Sequence, residues 1–524
     1  MHPVQISAKH KLVGVPFAID VKNLFPDAKA LDFAGVPHLL LPHAPVETFM
    51  LRRLGYDVPS PILTHYEWPH PIGQPPFEAQ KKTAALFTTD ERSYALNGMG
   101  TGKTRAALWA WDYLRSNNIC GKLLVLAPLS TLNFTWAREV FATLPHRKCV
   151  VLHGDRKRRL ERLADPDAEI FIINHDGVKV IAEELAKRTD INTVVIDELA
   201  VYRNPTAART KQLRKIAHTM KWVWGMTGAP IPNSPTDAWA QASIVTPHTV
   251  PKAFGRFRDE LMLRVSQFQY VAKHDAVDRA FAALQPAVRF TLSDVTELPE
   301  AVGLNPLRIV DVEMGPQQEK IYKELAAACY SAVQSEEITA ANAGACMMKL
   351  LQVAAGWVYT REGKTIALDN SKRIEALLEA INSSERKVLV FASFKHALAG
   401  ISEALTKEEI EHATISGDTS ESNRSQTFNL FQNTDKYRVL LAHPQCLAHG
   451  ITLTAADTII WFGPVTSLEI YDQANHRIRR VGQKFKQLFL HLQSTPVEKK
   501  IYTMLANKQR VQDSLLELFE AATE

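Results

Sequence analysis

Short apolar runs alternate with helical stretches along most of this chain, and the alternation occurs twice. From residue 77 the order is YALNG then TRAALWAWDYL, KLLVLAP then LNFTWAREVF, CVVLHG then RKRRLERL, EIFIIN then VKVIAEELAKR, TVVIDE then TAARTKQLRKIA, and KWVWGMTG. Strands separated by helices pair in parallel through right-handed crossovers. The rhythm returns in RIEALLEAI, KVLVFAS, HALAGISEAL, HATISG, NRSQTFNLFQ, YRVLLAH, DTIIWFG and QLFLHLQ. An α/β protein with two parallel-sheet lobes is therefore expected, and 524 residues are more than one core normally serves.

The passage PSPILTHYEWPHPIGQPP at 59–76 is too rich in proline for a helix and suits an extended connector. It separates an N-terminal accessory region, residues 1–72, from a first lobe at 73–245. Residues 246–370 read as a mainly helical linker or insert, and 371–524 as the second lobe with a C-terminal helix.

Composition excludes more than it selects. A charge of +5 permits a polyanionic partner without requiring one. The five cysteines show no C-x-x-C spacing, which argues against a disulfide framework or zinc module and fits a reducing cytosol. No apolar run approaches the roughly 20 residues of a membrane span, and the start lacks the apolar core of a signal peptide. A soluble, cytoplasmic protein without a membrane partner is expected. His38, His43, His65 and His70 have no Cys or acidic partners at ligand spacing, so they do not suggest zinc.

Chemistry enters at 97–104, NGMGTGKT, which follows an apolar run and opens a helical pattern. Glycines 98, 100 and 102, with Thr101 between them, let backbone N–H groups close on phosphate oxygens, and the helix N-terminus adds its dipole. In such a cradle Lys103 reaches the outer phosphates and Thr104 holds Mg²⁺. Asn97 stands where the strict eight-residue pattern has its first glycine. About ninety residues later, TVVIDELAVYRN ends a strand in Asp197 and Glu198. One carboxylate at such a strand end serves Mg²⁺ through water, and its neighbour polarises the attacking water. These residues predict ATP hydrolysis.

Further stretches, spanning about 77 to 510, resemble the helicase motifs of superfamily two, specifically its Swi/Snf-like branch of double-stranded DNA translocases. PPFEAQKKTAAL resembles the family's adenine-reading segment, with Gln80 as the glutamine. LVLAPLSTLNFTWAREV is similar to its Pro-x-Ser segment with a later tryptophan, here Pro128, Ser130 and Trp136. MTGAPIPNSPTDAW, at 226–239, looks like the turn that couples the acids to the DNA groove, with Thr227 in it. VLLAHPQCLAHGITLTAADTIIWFGP contributes Gly450 to the nucleotide site and Thr452 to the DNA path. YDQANHRIRRVGQ has the spacing of the arginine-finger motif, with Gln473 at the nucleotide, Arg480 as the finger and Arg477 beside it.

The resemblance implies two tandem RecA-like lobes that clasp ATP and Mg²⁺ and move along duplex or branched DNA. The expected setting is replication, recombination or repair, with proteins of those processes as possible partners. The compact size would suit a microbial or phage-encoded motor, monomeric when free, and the short inserts argue against engaging nucleosomes. Backbone contacts are expected from Ser130, Thr452 and the basic run 156–159, with Arg156 and Arg158 its nearest candidates, although that run reads equally as a solvated helix face. Trp109 and Trp111 read as core. Some positions depart from the pattern: Leu199 and Ala200 follow the acids, His476 precedes the first arginine, and Cys446, Ala448 and His449 occupy a segment usually richer in glycine. The alternatives are an RNA helicase, or an ATP-gated DNA- or protein-binding factor that does not move.

Overall fold

The computed structural model describes residues 4–33, 35–232, 234–265, 270–291, 294–295, 307–334, 340–359, 365–447, 451–479 and 483–507. The chain divides into two compact units, residues 1–297 and 298–524.

The first unit is built on a seven-stranded sheet. Its strand order is Ala287–Val288, Arg92–Ala95, Trp222–Met226, Ile191–Ile196, Lys122–Ala127, Ile170–Asn174 and Cys149–Val151. Every pairing is parallel. Helices cover both faces, so the central strands are buried on both sides and carry almost no polar residue. The helix Lys103–Ser116 is apolar nearly all round, with every residue from Ala106 to Leu114 buried. Trp109 and Trp111 are core, as read, and their indole N–H groups donate to the carbonyls of Pro69 and Gly121.

The N-terminal region forms a four-stranded antiparallel sheet ordered Gln5–Ser7, Leu12–Pro16, Val36–Pro42 and Lys29–Phe33. Val13, Val15, Leu39 and Leu41 on one face pack with Val21, Leu51, Tyr56 and Val58. The proline-rich passage that follows, expected to be extended, carries one helical turn, Ile62–His65, because Pro61 stands before its first residue, where a missing N–H costs nothing, and the passage is firmly fastened. Tyr66 donates to Asp112 Oδ2 at 2.7 Å, and Trp68 meets Trp109 edge to face at 5.3 Å.

The second unit holds a six-stranded, wholly parallel sheet ordered Leu307–Asp311, Leu488–Gln493, Ala456–Trp461, Lys387–Phe391, Val439–Ala442 and His412–Ile415. A buried ion pair, Arg373 to Glu498 at 2.6 Å, joins two of its helices, and Arg373 also donates to the carbonyls of Ala354 and Leu492. The expected architecture, two parallel-sheet lobes, is present. The stretch 246–370, read as mainly helical, does contain helices, but it also supplies an edge strand to each sheet: Ala287–Val288 to the first and Leu307–Asp311 to the second. Among the described residues, no helix is long and apolar enough to cross a membrane.

Candidate active site

In an open parallel sheet, ligands bind beyond the carboxyl ends of the strands. Three neighbouring strand ends carry the predicted chemistry. Arg92–Ala95 runs into the glycine loop, Ile191–Ile196 into Asp197, and Trp222–Met226, between them, into Thr227. Two strand spacings, about 10 Å, thus separate the phosphate loop from the two acids.

The loop needs its glycines for conformation. Gly100 and Gly102 lie at φ +80° and +78°, the left-handed region, and Gly102 is the residue from which the helix Lys103–Ser116 starts. A Cβ on Gly102 would stand 1.8 Å from Gln80 Nε2, so the loop and Gln80 touch. Gln80 is buried, and its Oε1 accepts from Phe77 N at 2.9 Å. Thr101 spends its hydroxyl inside the loop, donating to Gly98 O at 2.9 Å. That leaves the backbone of Thr101, and not its hydroxyl, for any phosphate in the loop. Lys103 Nζ donates to the carbonyls of Asn97 and Gly98 at 2.7 and 2.9 Å, which holds the ammonium over the loop.

Asn97, the departure from the glycine pattern, has a structural task. Its Nδ2 donates to Thr83 Oγ1 at 2.9 Å, on the helix that carries Gln80, and its Oδ1 accepts from Phe290 N at 3.0 Å. Gly98 N also donates to Phe290 O at 2.7 Å. The segment around Phe290 therefore clamps the base of the loop. Sequence reading missed this because nothing local marks a partner 193 residues away.

Asp197 and Glu198 differ in setting. Asp197 Oδ1 accepts from Glu198 N at 3.1 Å and Oδ2 from Trp136 Nε1 at 2.9 Å. Glu198 has φ +50°, uncommon for a side chain-bearing residue, and this swings it out of line with the strand before the turn Leu199–Tyr202. Thr104 sits in the first turn of the loop helix. Its hydroxyl and the Asp197 carboxylate are hard oxygen donors that suit Mg²⁺, which takes one or two protein oxygens and fills the rest with water and phosphate. Among the described residues no group of three or more His, Cys, Asp or Glu could hold a metal by itself, so a metal here would lean on phosphates.

Thr227 is 1 % exposed, its N–H donates to Ala95 O at 3.1 Å and its hydroxyl accepts from Ala229 N at 3.3 Å. It braces the turn against the phosphate-loop strand and presents no surface to a nucleic acid. Ser130 lies in the short turn Leu129–Thr131 at the end of the strand Lys122–Ala127. In the basic run, the helix Arg156–Leu163 is capped by Asp155, and the residues divide. Arg159 is buried, donating to the carbonyls of Leu152 and Gly154, and Arg156 pairs with Glu184. Lys157 and Arg158 are exposed.

In the second unit, Gln473 and Arg477 are each 2 % exposed and face the interior of their own lobe. Gln473 Nε2 donates to Glu469 Oε1 at 3.2 Å; Arg477 donates to Gln473 O at 2.8 Å and Ile451 O at 3.2 Å. Spacing placed both at the nucleotide, but it does not report which way a helix end faces. Arg477 instead braces the segment at Ile451, beside the exposed Thr452. Arg480 and Gly450 lie outside the described residues.

Comparison with known proteins gives the family. The SNF2-related domain model matches residues 91–386, and that of the helicase conserved C-terminal domain matches 372–482. A putative protein p41 from Acyrthosiphon pisum secondary endosymbiont phage 1 is 28% identical over 451 residues, covering 82% of this chain and 95% of that one. An uncharacterized ATP-dependent helicase of Mycoplasma pneumoniae is 26% identical, covering 81% of this chain, and the ATPase ISW1 of the Saccharomyces cerevisiae ISWI chromatin-remodeling complex is 25% identical, covering 80%. The chain spans 40% and 38% of the lengths of these two. Among solved structures, the Sulfolobus solfataricus SWI2/SNF2 ATPase core in complex with dsDNA is 21% identical with a TM-score of 0.41, over 86% of this chain and 96% of that one. With the family model matching more than half its length, the chain belongs to the SNF2-related family and is, with it, a helicase-type, nucleic-acid-dependent ATPase.

Proposed function

We propose that the chain is an ATP-driven translocase on duplex or branched DNA, acting in replication, recombination or repair in the cytoplasm, and monomeric when free. The observation that carries this reading is the row of three adjacent strand ends bearing the phosphate loop, the Thr227 turn and the Asp197–Glu198 pair. That row supports the reading because the residues to which it gives phosphate binding, water activation and coupling stand side by side in one lobe.

In this reading Gln80 reads the adenine, and the amides of residues 98–102 bind the phosphates. Lys103 moves from the loop carbonyls to the outer phosphates, while Thr104 and Asp197 hold Mg²⁺. Mg²⁺ held there would supply charge neutralisation. Glu198 orients the attacking water and takes its proton. Arg480, on the other lobe, stabilises charge on the transferring phosphoryl group, and Gln473 and Arg477 hold the elements that present it. Ser130, Arg158 and Thr452 track the DNA backbone, which gives affinity with little sequence preference. The names of the relatives, an ATP-dependent helicase and a chromatin-remodeling ATPase, support a nucleic-acid substrate.

The test is steady-state ATP hydrolysis without nucleic acid and with matched duplex DNA, single-stranded DNA, a four-way junction and RNA, with Glu198→Gln as control. Stimulation by duplex or junction, followed by displacement of a triplex-forming strand, is the expected result. Stimulation by RNA alone would reassign the chain as an RNA helicase. DNA binding without displacement would leave an ATP-gated binding factor. Lys103→Ala and Arg480→Ala should each abolish or slow hydrolysis, and wild-type rates would count against the assigned roles.

A further inference from the structure

The residues after Ser130 do not continue as an ordinary helix. Leu132–Ala137 is a π-helix, set between the turn Leu129–Thr131 and the α-helix Arg138–Thr143. A wide turn of this kind is rare and costs stability, and it concentrates at functional sites because it shifts the phase of the side chains that follow. Here the shifted residue is Trp136. Its side chain is fully buried, and its indole N–H, the one polar group it owns, donates to Asp197 Oδ2 at 2.9 Å. The other oxygen of Asp197 accepts from Glu198 N at 3.1 Å. The carboxylate is thus held at both oxygens, once by its own turn and once from the neighbouring strand's loop.

We propose that Trp136 is a positioning residue for the Asp197 carboxylate, fixing the plane in which it meets the metal. The π turn is the device that delivers the indole N–H to that oxygen. The proposal rests on the reading of Asp197 as a metal ligand. Groups that orient a ligand from outside the coordination sphere are worth about 10- to 100-fold in metal affinity or activity. The indole donor is neutral and so brings no positive charge to compete with a metal, which a lysine or arginine at this position would introduce.

The experiment compares the wild-type chain, Trp136→Phe and Asp197→Ala. Trp136→Phe keeps an aromatic ring and removes the donor. A second substitution places benzothienylalanine at 136 by site-specific incorporation; it keeps the shape of indole with sulfur in place of N–H, so packing is preserved if phenylalanine disturbs the fold. Mn²⁺ affinity is read by electron paramagnetic resonance in the presence of ADP, and ADP affinity is read separately in EDTA. The expected result is Mn²⁺ affinity lowered about 10- to 100-fold in both position-136 variants, with metal-free ADP affinity unchanged. The Mg²⁺ concentration for half-maximal hydrolysis should rise while kcat at saturating Mg²⁺ stays near wild type. Unchanged Mn²⁺ affinity with a rate reduced at every Mg²⁺ concentration would overturn the proposal and make Trp136 a packing residue. If Asp197→Ala itself binds Mn²⁺ like wild type, the reading of Asp197 fails and the proposal falls with it.

Discussion

Replacing Gly102 with alanine tests the link between loop conformation and the Gln80 contact. At φ +78° a side chain-bearing residue costs about 1–2 kcal/mol relative to glycine. The new Cβ would lie 1.8 Å from Gln80 Nε2 and 2.8 Å from its Cδ, so the Gln80 amide has to leave. Its departure breaks the bond from Phe77 N, worth about 1 kcal/mol. The single variant should therefore lose about 2–3 kcal/mol of stability. Gln80→Ala alone should lose about 1 kcal/mol. In the double variant there is no amide left to displace, so its cost should equal that of Gly102→Ala alone and fall about 1 kcal/mol short of the sum of the single effects. Urea unfolding followed by tryptophan fluorescence supplies the stabilities. Titration with fluorescent ATP and GTP analogues should show ATP preference lost in both single variants. Strict additivity within about 0.5 kcal/mol would refute the argument, because it would mean that residues 80 and 102 do not meet.

Three further outcomes are expected. Glu198→Gly relieves a positive φ that costs about 1 kcal/mol or more, so denaturation should show a more stable protein while ATP hydrolysis falls at least about 100-fold; an unchanged midpoint would remove the strain argument. Arg373→Met leaves the Glu498 carboxylate buried without its partner and should destabilise the second unit by about 3–5 kcal/mol, whereas Arg373→Met with Glu498→Gln should recover most of it in the same urea titration. His491, buried against Tyr502 and bonded to the Tyr471 hydroxyl, has its pKa lowered by burial to about 3. Above its unfolded pKa of about 6.5 both states are neutral and nothing is lost. Below it the unfolded chain takes the proton and the folded one does not, so stability falls by about 1.4 kcal/mol per pH unit down to pH 3. His491→Phe should flatten that part of the profile, and an identical slope would exclude His491 as its source.

The lobes were legible because parallel strands buried on both faces are continuous apolar runs, as in KLLVLA, TVVI and VLLA, and helices separate them. The phosphate loop and the two acids were legible for another reason: their chemistry is confined to a few consecutive residues. What escaped was made by distance. The edge strand Ala287–Val288 is two residues long and has no periodicity to detect, yet it flanks the loop strand, and the chain beyond it clamps the loop through Phe290. The N-terminal sheet escaped because its strands are short and the longest, Val36–Pro42, contains Pro37 and Pro42, residues that argue against a strand in the sequence. The π-helix has no sequence signal, so the role of Trp136 could be located but not explained. Gln473 and Arg477 had the right spacing, but their direction depends on the packing of the helix Leu468–Asn475.

The late edge strand also sets an order of events during synthesis. Tyr94, Leu96 and Gly98 take their backbone partners from Pro286, Val288 and Phe290, so the loop strand leaves the ribosome nearly two hundred residues before the chain that finishes it. In the second unit a comparable separation recurs, since among the described residues Leu307–Asp311, its first strand, pairs only with Leu488–Gln493, its last. Each sheet stays open at one side until its final segment is made, and sheets dominated by such distant pairings close slowly. A chain interrupted before residue 488 would thus leave Leu307–Asp311 as an unsatisfied edge, ready to pair with another nascent copy.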